Sequence, residues 1–340
     1  MRAARFHGVG SPVRVEDVPR PEVGADEVLV EVKACGVCGS DIHFLEGMPV
    51  PGGLPLTLGH EPSGVVAELG SEVTQWSVGD RVALTLGDGC GECNACRSDH
   101  PSACPSLTAP GLHIDGAFAD FCLVPATTLV KVPDNVSFAA AAVATDCVAT
   151  PYHALRCRAQ IQEGESVAVI GAGGLGTQAI ALAKVLGAGT VVAADPSEVA
   201  RERALGAGAD AAVEGAGQIR QVLPDGAGLV LECVGLPETV SAGVLSLALG
   251  GRIVLVGVCM QPPPIPLPQA IFSLAEMTVY GAFASHKRDL EEVLALQSEG
   301  KIDIDGSISH RFPLEEAPAA LEMLMSKEGD PQRIVVEIGQ

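Results

Sequence analysis

The sequence predicts an α/β protein with two domains, one rich in strands and one built on a parallel sheet. Residues 1–135 contain short strand-like runs separated by glycine and proline, at 28–32, 64–69 and 81–84. From Ser166 onward, strand-like and helix-like segments alternate, a pattern that requires parallel strands joined by right-handed crossovers. A chain of 340 residues is also long for a single hydrophobic core.

The composition limits the partners that the chain can have. It contains 40 glycines and carries a formal net charge of −21. This charge repels nucleic acid and anionic membranes, so neither is an expected partner. We find no signal-peptide pattern, and the longest apolar run, at 138–151, is broken by Asp146. Because 11 cysteines without an export signal also fit a reducing compartment, we expect a cytoplasmic protein.

The second domain is predicted from a series of short elements. A buried strand at 166–170 runs into a glycine-rich turn and a helix at 177–186. A second strand at 191–194 is followed by a helix at about 197–205. Further strands are predicted at these positions: 211–213, 229–233 and 252–257. This alternation favours a doubly wound sheet.

Two segments carry proline signals. The alanine-rich run 136–156 is predicted to be helical, with an interruption near Thr150 and Pro151, since proline lacks the backbone N–H that a helix interior uses. The segment 262–268 reads PPPIPLP and is predicted to be an extended connection at the surface, because such a run forms neither a helix nor a central strand.

A glycine motif between the first strand and helix of the second domain predicts a dinucleotide site. The motif G-x-G-x-x-G spans Gly171–Gly176 and comprises Gly171, Gly173, Gly174, Leu175 and Gly176. Its glycines allow a tight turn, close approach of a pyrophosphate and close helix packing. Asp195 ends the next strand, where a carboxylate accepts hydrogen bonds from the ribose of NAD. A purely structural turn is the alternative, and Arg201 and Arg203 keep NADP open.

Four cysteines in one loop predict a structural zinc site. They follow the spacing C-x2-C-x2-C-x7-C and are Cys90, Cys93, Cys96 and Cys104. Four thiolates at such spacing form a closed tetrahedral set for zinc. Two disulfides or four incidental thiols are the alternatives.

A second group of metal-binding residue types lies closer to the N-terminus. Cys38 and His60 supply a thiolate and an imidazole, as a catalytic zinc with one open position requires. The stretches CGVCGSDIH at 35–43, GHEPSGVVAELG at 59–70 and GDRV at 79–82, with the four-cysteine loop and GAGGLG, follow in this order. In this combination the chain resembles the zinc-dependent medium-chain alcohol dehydrogenases over essentially its whole length.

The resemblance implies roles for the residues around the catalytic zinc. Cys38 and His60 are expected to bind the metal, and Glu61 to lie beside it and exchange onto it. Asp41 matches the acid that orients the ligating imidazole. Ser40 matches the hydroxyl that contacts the substrate oxygen, and His43 the histidine that ends the proton relay. The alternative for His43 is a plain surface histidine, and Cys35 is expected to be a buried strand thiol.

The third zinc ligand departs from the pattern of many relatives, which have a cysteine there. Alignment on Tyr152 and His153 puts Asp146 at the ligand position, with Cys147 one residue later. The run TDCVATPY resembles a bacterial branch in which aspartate is the ligand. We therefore expect Asp146 to bind zinc. Cys147 is the alternative ligand, and an N-cap of the following helix is the alternative role of Asp146.

The resemblance also implies cofactor contacts outside the glycine motif. Val256 and Val258 follow the strand expected to pass beneath the nicotinamide. Arg333 matches a C-terminal arginine that approaches the cofactor phosphates, and its alternative is a solvated charge at a strand start. Leu86 matches a pocket-wall position that is often aromatic, so a wider apolar pocket for secondary, bulky or cyclic alcohols is expected.

The resemblance implies a GroES-like, mainly β catalytic domain at 1–146 that resumes at 285–340, around a Rossmann NAD-binding domain at 147–284. We expect an oxidoreductase with one catalytic and one structural zinc, which transfers hydride between an alcohol and NAD, as a homodimer or homotetramer. A polyol dehydrogenase of the same superfamily is the alternative enzyme. A non-enzymatic NAD-binding protein is disfavoured, because it has no need of an open zinc site.

Overall fold

The computed structural model describes residues 1–87, 89–262 and 265–339. The chain divides into two compact units, one formed by residues 1–149 and 285–340 and the other by residues 150–284. The sequence predicts the first boundary three residues earlier, between 146 and 147. The boundary falls inside a helical stretch, which has no glycine or proline linker to mark it in the sequence.

The secondary structure of the described residues follows in chain order. The strands are β1 Arg2–Phe6, β2 Arg14–Asp17, β3 Glu27–Val37, β4 Leu56–Thr57, β5 Glu61–Leu69, β6 Arg81–Leu84, β7 Phe121–Pro125, β8 Leu129–Lys131, β9 Val167–Ile170, β10 Val191–Ala194, β11 Ala211–Val213, β12 Ala227–Glu232, β13 Leu247–Leu255, β14 Thr278–Gly281, β15 Ile308–Pro313 and β16 Arg333–Glu337. The α-helices are α1 Gly39–Leu45, α2 Asn94–Arg97, α3 Phe138–Val143, α4 Ala149–His153, α5 Gly174–Val185, α6 Glu198–Gly206, α7 Ile219–Val222, α8 Pro237–Leu245, α9 Gln269–Leu274, α10 Lys287–Ser298 and α11 Ala317–Ser326.

The first unit is built around the long strand β3. A mixed sheet runs in the order β15-β16-β3-β5-β6-β8, with β7 also paired to β3, and a small sheet runs β2-β1-β4. Since β16 pairs antiparallel with β3, the C-terminal segment completes the sheet begun by the N-terminal one. Side chains of β3, such as Val28, Val30 and Val32, are buried in its core together with Phe6 and Phe118. The strand-rich first domain is thereby confirmed.

The second unit has the predicted parallel sheet. Its strands lie in the order β11-β10-β9-β12-β13-β14, and every neighbouring pair is parallel. The strand order reverses between β9 and β12, which is the point where doubly wound sheets bind their ligands. Helix α5 begins at Gly174, three residues before the predicted start, because the glycine motif itself forms the first helical turn.

The alanine-rich run stays helical through Pro151, where the sequence predicts an interruption. Helix α3 passes into a π-helical turn at Ala144–Val148, then α4, then a second π-helical turn at Ala154–Ala159. A proline cannot donate to the carbonyl four residues earlier, and a widened turn beside it accommodates that loss.

The structure describes the proline-rich segment 262–268 only in part. The segment includes Pro263 and Pro264, which lie outside the described residues, and helix α9 begins directly after it at Gln269.

Among the helices of the described residues, none has the length and apolar character needed to cross a membrane.

Candidate metal centre and dinucleotide site

Four predicted residues of the first unit meet in a buried cluster. Ligand atoms of Cys38, His60, Glu61 and Asp146 all lie within 4.8 Å of one another. These residues come from the start of α1, the start of β5 and the π-helical turn after α3, which are far apart in the sequence. The fold therefore collects one thiol, one imidazole and two carboxylates at one place.

The spacing of these atoms fits a zinc ion. Sγ of Cys38 lies 3.4 Å from Oδ2 of Asp146, and Nε2 of His60 lies 3.7 Å from the same oxygen. Bonds of about 2.0–2.3 Å to a tetrahedral zinc place its ligand atoms roughly 3.3–3.8 Å apart. The buried Oε1 of Glu61 has no hydrogen-bond partner among the described residues, so it is free to face a cation.

The backbone around Asp41 holds two of these residues in place. Cys38 is the N-cap of α1, and its N–H donates to Oδ2 of Asp41 at 3.0 Å. The N–H of Gly59 donates to the other oxygen of Asp41 at 3.3 Å. Gly59 has φ +91°, and a Cβ there would lie 2.8 Å from the ring of Phe118. Only glycine fits this position, which fixes the backbone directly before His60.

Asp41 also faces the imidazole of His60. Nδ1 of His60 lies 3.5 Å from Oδ1 of Asp41, while Nε2 points toward Asp146. The pair is not aligned as a hydrogen bond, and Nδ1 has no such partner in the described part of the chain. A carboxylate beyond the non-ligating nitrogen is the arrangement that orients metal-binding histidines.

The π-helical turn separates Asp146 from Cys147. Asp146 joins the cluster and is 8% exposed, whereas Cys147 is buried and is not part of that donor set. Successive residues of a helix point in different directions, so one of the two neighbours faces Cys38. The chain is already helical from Phe138, so the interpretation of Asp146 as a helix N-cap is wrong.

Arg333 forms a buried ion pair with Glu61. Nη2 of Arg333 donates to Oε2 of Glu61, and the two side chains are 8% and 0% exposed. The interpretation of Arg333 as a solvated charge is therefore wrong, because β16 runs beside β3 and buries it. Its contact with cofactor phosphates stays a prediction.

The titration of the cluster reflects its burial and its negative charge. Burial and the charge of Asp146 raise the pKa of Cys38, and burial raises the pKa of Glu61 although Arg333 opposes this. Burial alone would lower the pKa of His60, but the neighbouring carboxylates of Asp41 and Asp146 hold it well above its usual value. A divalent cation at the centre would favour the deprotonated ligands.

The structure also describes the other residues predicted for this site. Oγ of Ser40 lies 3.9 Å from Sγ of Cys38. The side chain of His43 is 38% exposed, and its Nδ1 lies 3.8 Å from Oε2 of Glu46. Leu86 is buried, and Cys35 is buried within β3, outside the donor cluster.

The four-cysteine loop forms the second donor cluster of this unit. Sγ atoms of Cys90, Cys93, Cys96 and Cys104 also lie within 4.8 Å of one another. Backbone N–H groups point at the sulfurs, as from Cys93 to Cys90 at 3.4 Å. Hydrogen bonds from the N–H groups of Glu92 and Cys93 lower the pKa of Cys90 to about 6. All four are free thiols, so the disulfide interpretation is not supported within the described residues.

The glycine motif of the second unit forms the turn expected from its sequence. Gly171 has φ +86°, and a Cβ on Gly176 would lie 1.7 Å from the carbonyl oxygen of Gly171. Gly173 is the N-cap of α5, which begins with Gly174 and Leu175. Helix and strand therefore meet as closely as the predicted pyrophosphate turn requires.

Other predicted cofactor residues lie at the same edge of the sheet. Asp195 follows β10 and accepts from the N–H of Ala172 at 2.8 Å and of Ser197 at 2.9 Å. Val256 and Val258 follow the end of β13. These side chains lie beyond the carboxyl ends of their strands, where a dinucleotide binds in such sheets.

Comparison with known protein families matches both units. Residues 24–134 match the alcohol dehydrogenase GroES-like domain, and residues 174–299 match the zinc-binding dehydrogenase domain. An alcohol dehydrogenase from Geobacillus stearothermophilus is 37% identical over 309 residues, which cover 89% of this chain and 90% of the relative. The chain belongs to the zinc-dependent medium-chain alcohol dehydrogenase family.

Further relatives of this alcohol dehydrogenase family differ in substrate and cofactor. A sorbitol dehydrogenase from Bacillus subtilis (strain 168) is 30% identical over 349 residues, covering 99% of this chain and 97% of the relative. A crystal structure of a zinc-binding dehydrogenase from Sinorhizobium meliloti 1021 bound to NADP has a TM-score of 0.90 and 32% identity, covering 99% of this chain and 98% of that one. The family thus makes this chain a zinc-dependent dehydrogenase of an alcohol or polyol that uses a nicotinamide dinucleotide.

The motifs of the alcohol dehydrogenase family did not reveal two contacts of the metal centre. One is the ion pair of Glu61 with Arg333, whose partners are 272 residues apart in sequence. The other is Gly36, where a Cβ would lie 1.9 Å from Oε2 of Glu61. The glycine in CGVC marks this position, but only the pairing of β3 with β5 shows which side chain needs the space.

Proposed function

We propose that this chain interconverts a secondary, bulky or cyclic alcohol and its carbonyl compound with NAD, using a catalytic zinc at the buried cluster. Cys38, His60 and Asp146 would hold that ion, with Glu61 beside it as an exchangeable ligand. The observation that carries the proposal is the mixed, buried donor set with a free carboxylate oxygen. A structural zinc would be held by the closed set of thiolates at Cys90, Cys93, Cys96 and Cys104.

When bound, zinc supplies Lewis-acid activation of the alcohol, and the nicotinamide accepts the hydride. The residues of the chain then have separate tasks. Ser40, beside Cys38, would take up the hydroxyl proton of the substrate as it gives its own proton on, and the half-exposed His43 would pass a proton to solvent. Asp41 would hold the imidazole of His60 in its ligating orientation.

The choice of NAD rests on Asp195. Its carboxylate lies at the end of β10, bonded to the N–H of Ala172 in the glycine turn, where it would repel the 2′-phosphate of NADP. Arg201 donates to the carbonyl oxygens of Asp195 and Pro196 at 2.9 and 2.8 Å, so its guanidinium has partners of its own. We expect kcat/KM to be higher with NAD than with NADP. Asp195→Ala should reduce the ratio of the NAD value to the NADP value by about tenfold.

The substrate class rests on the resemblance at Leu86, which matches a pocket-wall position that is often aromatic in the family. Leu86 is buried and smaller than an aromatic side chain, so a pocket that it lines would be wider and apolar. An apolar pocket offers no partners for the additional hydroxyls of a polyol, and leaving them unpaired is costly. A polyol substrate, as in the sorbitol dehydrogenase relative, is the alternative.

We further propose a homodimer or homotetramer that works in the cytoplasm. Support comes from the edge strand β14 and from apolar side chains of the same unit that are more than three-quarters exposed: Leu249 at 84%, Met260 at 80% and Leu274 at 86%. An open sheet edge and strongly exposed apolar side chains in one unit are features that a subunit interface would cover. Light scattering of the purified protein measures the state directly, and a monomer at micromolar concentration would contradict the proposal.

The test of the reaction is NAD+ reduction against matched alcohols. Cyclohexanol and 2-butanol represent the proposed class, ethanol the small primary alcohols, and sorbitol the polyols, each with and without a zinc chelator. We expect chelator-sensitive turnover with the highest kcat/KM for the first two. Highest kcat/KM for sorbitol would replace the substrate class and keep the zinc mechanism. Turnover that survives proven loss of both zinc ions would contradict the metal role.

A further inference from the structure

Arg81, in the GDRV stretch at 79–82, lies outside both donor clusters of the first unit. It is half-buried on β6, whose backbone pairs with β5 on one side and β8 on the other. Nη2 of Arg81 donates to the carbonyl oxygen of Val136, and its guanidinium carbon lies 4.1 Å from the centre of the Phe138 ring. A charge-assisted hydrogen bond and a cation–π contact therefore hold the start of α3 against β6.

A second polar contact joins the same turn of α3 to β5. The hydroxyl of Ser63, a buried residue, donates to the carbonyl oxygen of Phe138 at 2.5 Å. Ser63 lies on β5 close to Glu61, which begins that strand directly after His60. The strand that starts at the metal cluster is therefore bonded to the helix that leads to Asp146.

The side chains of α3 explain why the helix needs such contacts at its start. The helix packs on β3 and β5, and its residues 139–142 are all buried alanines. Methyl side chains form shallow ridges, so they oppose sliding of a helix along its neighbours less than larger side chains do. The polar contacts at the first turn therefore fix the position of the helix along its axis.

The position of α3 matters to the metal cluster because the helix runs directly into the π-helical turn that carries Asp146. Oδ2 of Asp146 lies 3.4 Å from Sγ of Cys38 and 3.7 Å from Nε2 of His60. A metal site tolerates deviations of only about 0.2 Å in its ligand distances. A small slide of α3 would therefore weaken metal binding while the first unit stays folded.

We propose that Arg81 and Ser63 are positioning residues for the catalytic zinc: they hold the start of α3 so that Asp146 meets Cys38 and His60 at ligand distance. The inference rests on the proposed zinc site. The N-terminus of a helix carries a partial positive charge, so a cation beside it does not serve the stability of the helix. Loss of the Arg81 guanidinium should therefore weaken zinc binding selectively at the buried cluster.

The test titrates the zinc-loaded full chain with a chromophoric chelator. The wild type should release zinc in two phases, and the phase that is absent from Cys38→Ala belongs to the buried cluster. Arg81→Met should raise the Kd of that phase about tenfold, as loss of a contact behind a metal ligand does, and leave the four-cysteine phase unchanged. Arg81→Lys keeps the cation and should recover most of the affinity. Ser63→Ala should raise the same Kd by a smaller factor, and it decides alone if Arg81→Met does not fold.

Arg252→Met serves as the matched control, because Arg252 of the second unit also donates to a backbone carbonyl, that of Ala159 at 2.6 Å, and pairs with Glu165. It should lower stability in urea unfolding at least as much as Arg81→Met and leave both zinc phases unchanged. Unchanged zinc affinity in the Arg81 and Ser63 variants, or equal weakening of both phases, would show a merely structural role and overturn the inference. A wild-type chain with the four-cysteine phase alone would overturn the proposed zinc site, and the inference with it.

Discussion

The two donor clusters of the first unit differ in how the chain builds them. The four-cysteine cluster comes from one loop at 90–104, and Cys90 within it is exposed. The cluster of Cys38, His60, Glu61 and Asp146 comes from three separated elements and is largely buried. The first needs only local backbone to assemble, while the second exists only when the whole β3 sheet and the helix after it are in place.

The ligand types of each cluster match its burial and the part of the chain that supplies it. A local set of four thiolates fills every position of a tetrahedral ion and suits a structural role. The buried set mixes a thiol, an imidazole and carboxylates, and one carboxylate already has a second partner in Arg333. A set whose members can exchange leaves room for a substrate, so the two clusters should respond very differently to the loss of one ligand.

The largest expected effect is the loss of a ligand from the buried cluster. Cys38→Ala should lower kcat/KM by at least about a thousandfold, because Lewis-acid activation supplies several kcal/mol. Zinc content should fall by about one ion per chain, measured by elemental analysis. Cys122→Ala, which removes a buried thiol from β7, is the control and should keep both zinc and activity. Equal losses in the two variants would refute a specific role for Cys38.

The next effect concerns the buried partner of Glu61. Arg333→Met should destabilise the protein by about 3 kcal/mol in urea unfolding, because it leaves a carboxylate buried without its ion-pair partner. The double variant Glu61→Gln with Arg333→Met should recover much of that stability, since neither charge then remains. If the double variant is less stable than Arg333→Met alone, the pair does not act as a unit.

A ligand lost from the four-cysteine loop should have a smaller effect on the reaction. Cys96→Ser should release the second zinc and open the loop at 90–104 to proteolysis. The value of kcat/KM should fall by only about tenfold or less, because the loop supplies none of the donors of the buried cluster. Limited proteolysis and zinc analysis measure this. Cys259→Ser, at an exposed cysteine outside the loop, is the control. A thousandfold loss of activity in Cys96→Ser would erase the distinction between the clusters.

The smallest effect is expected at the half-exposed His43. His43→Gln should slow turnover by about tenfold at neutral pH, because a positioned base is removed but water can reach the site. The defect should shrink as pH rises, since solvent hydroxide then takes the proton directly. A pH profile of kcat/KM parallel to that of the wild type would remove His43 from the proton relay.

The sequence predicted the parts of this architecture that depend on local patterns. Alternation of strand and helix, the tight turn at Gly171 and the spacing of the four cysteines all follow from neighbouring residues. The strand bounds were less accurate: β13 begins at Leu247, whereas the sequence predicts a start at Arg252. The residues 247–251 read LALGG, and glycines in a strand interior hide its beginning.

Contacts between residues that are far apart in the chain could not be predicted from the sequence. The pair of Glu61 with Arg333 forms because β16 returns to β3, and the contact of Arg81 with Val136 forms because β6 lies beside the start of α3. The choice between Asp146 and Cys147 needed the direction of each side chain. That direction depends on a π-helical turn beside Pro151, which a simple helical period does not reproduce.

The most direct test of the proposed metal centre is to measure the zinc content after dialysis, together with the activity, of Asp146→Ala and Cys147→Ala. We predict that Asp146→Ala loses about one zinc ion per chain and nearly all turnover, whereas Cys147→Ala keeps about two ions and most of its turnover. The opposite result, with the buried zinc kept in Asp146→Ala and lost in Cys147→Ala, would contradict the proposed metal centre.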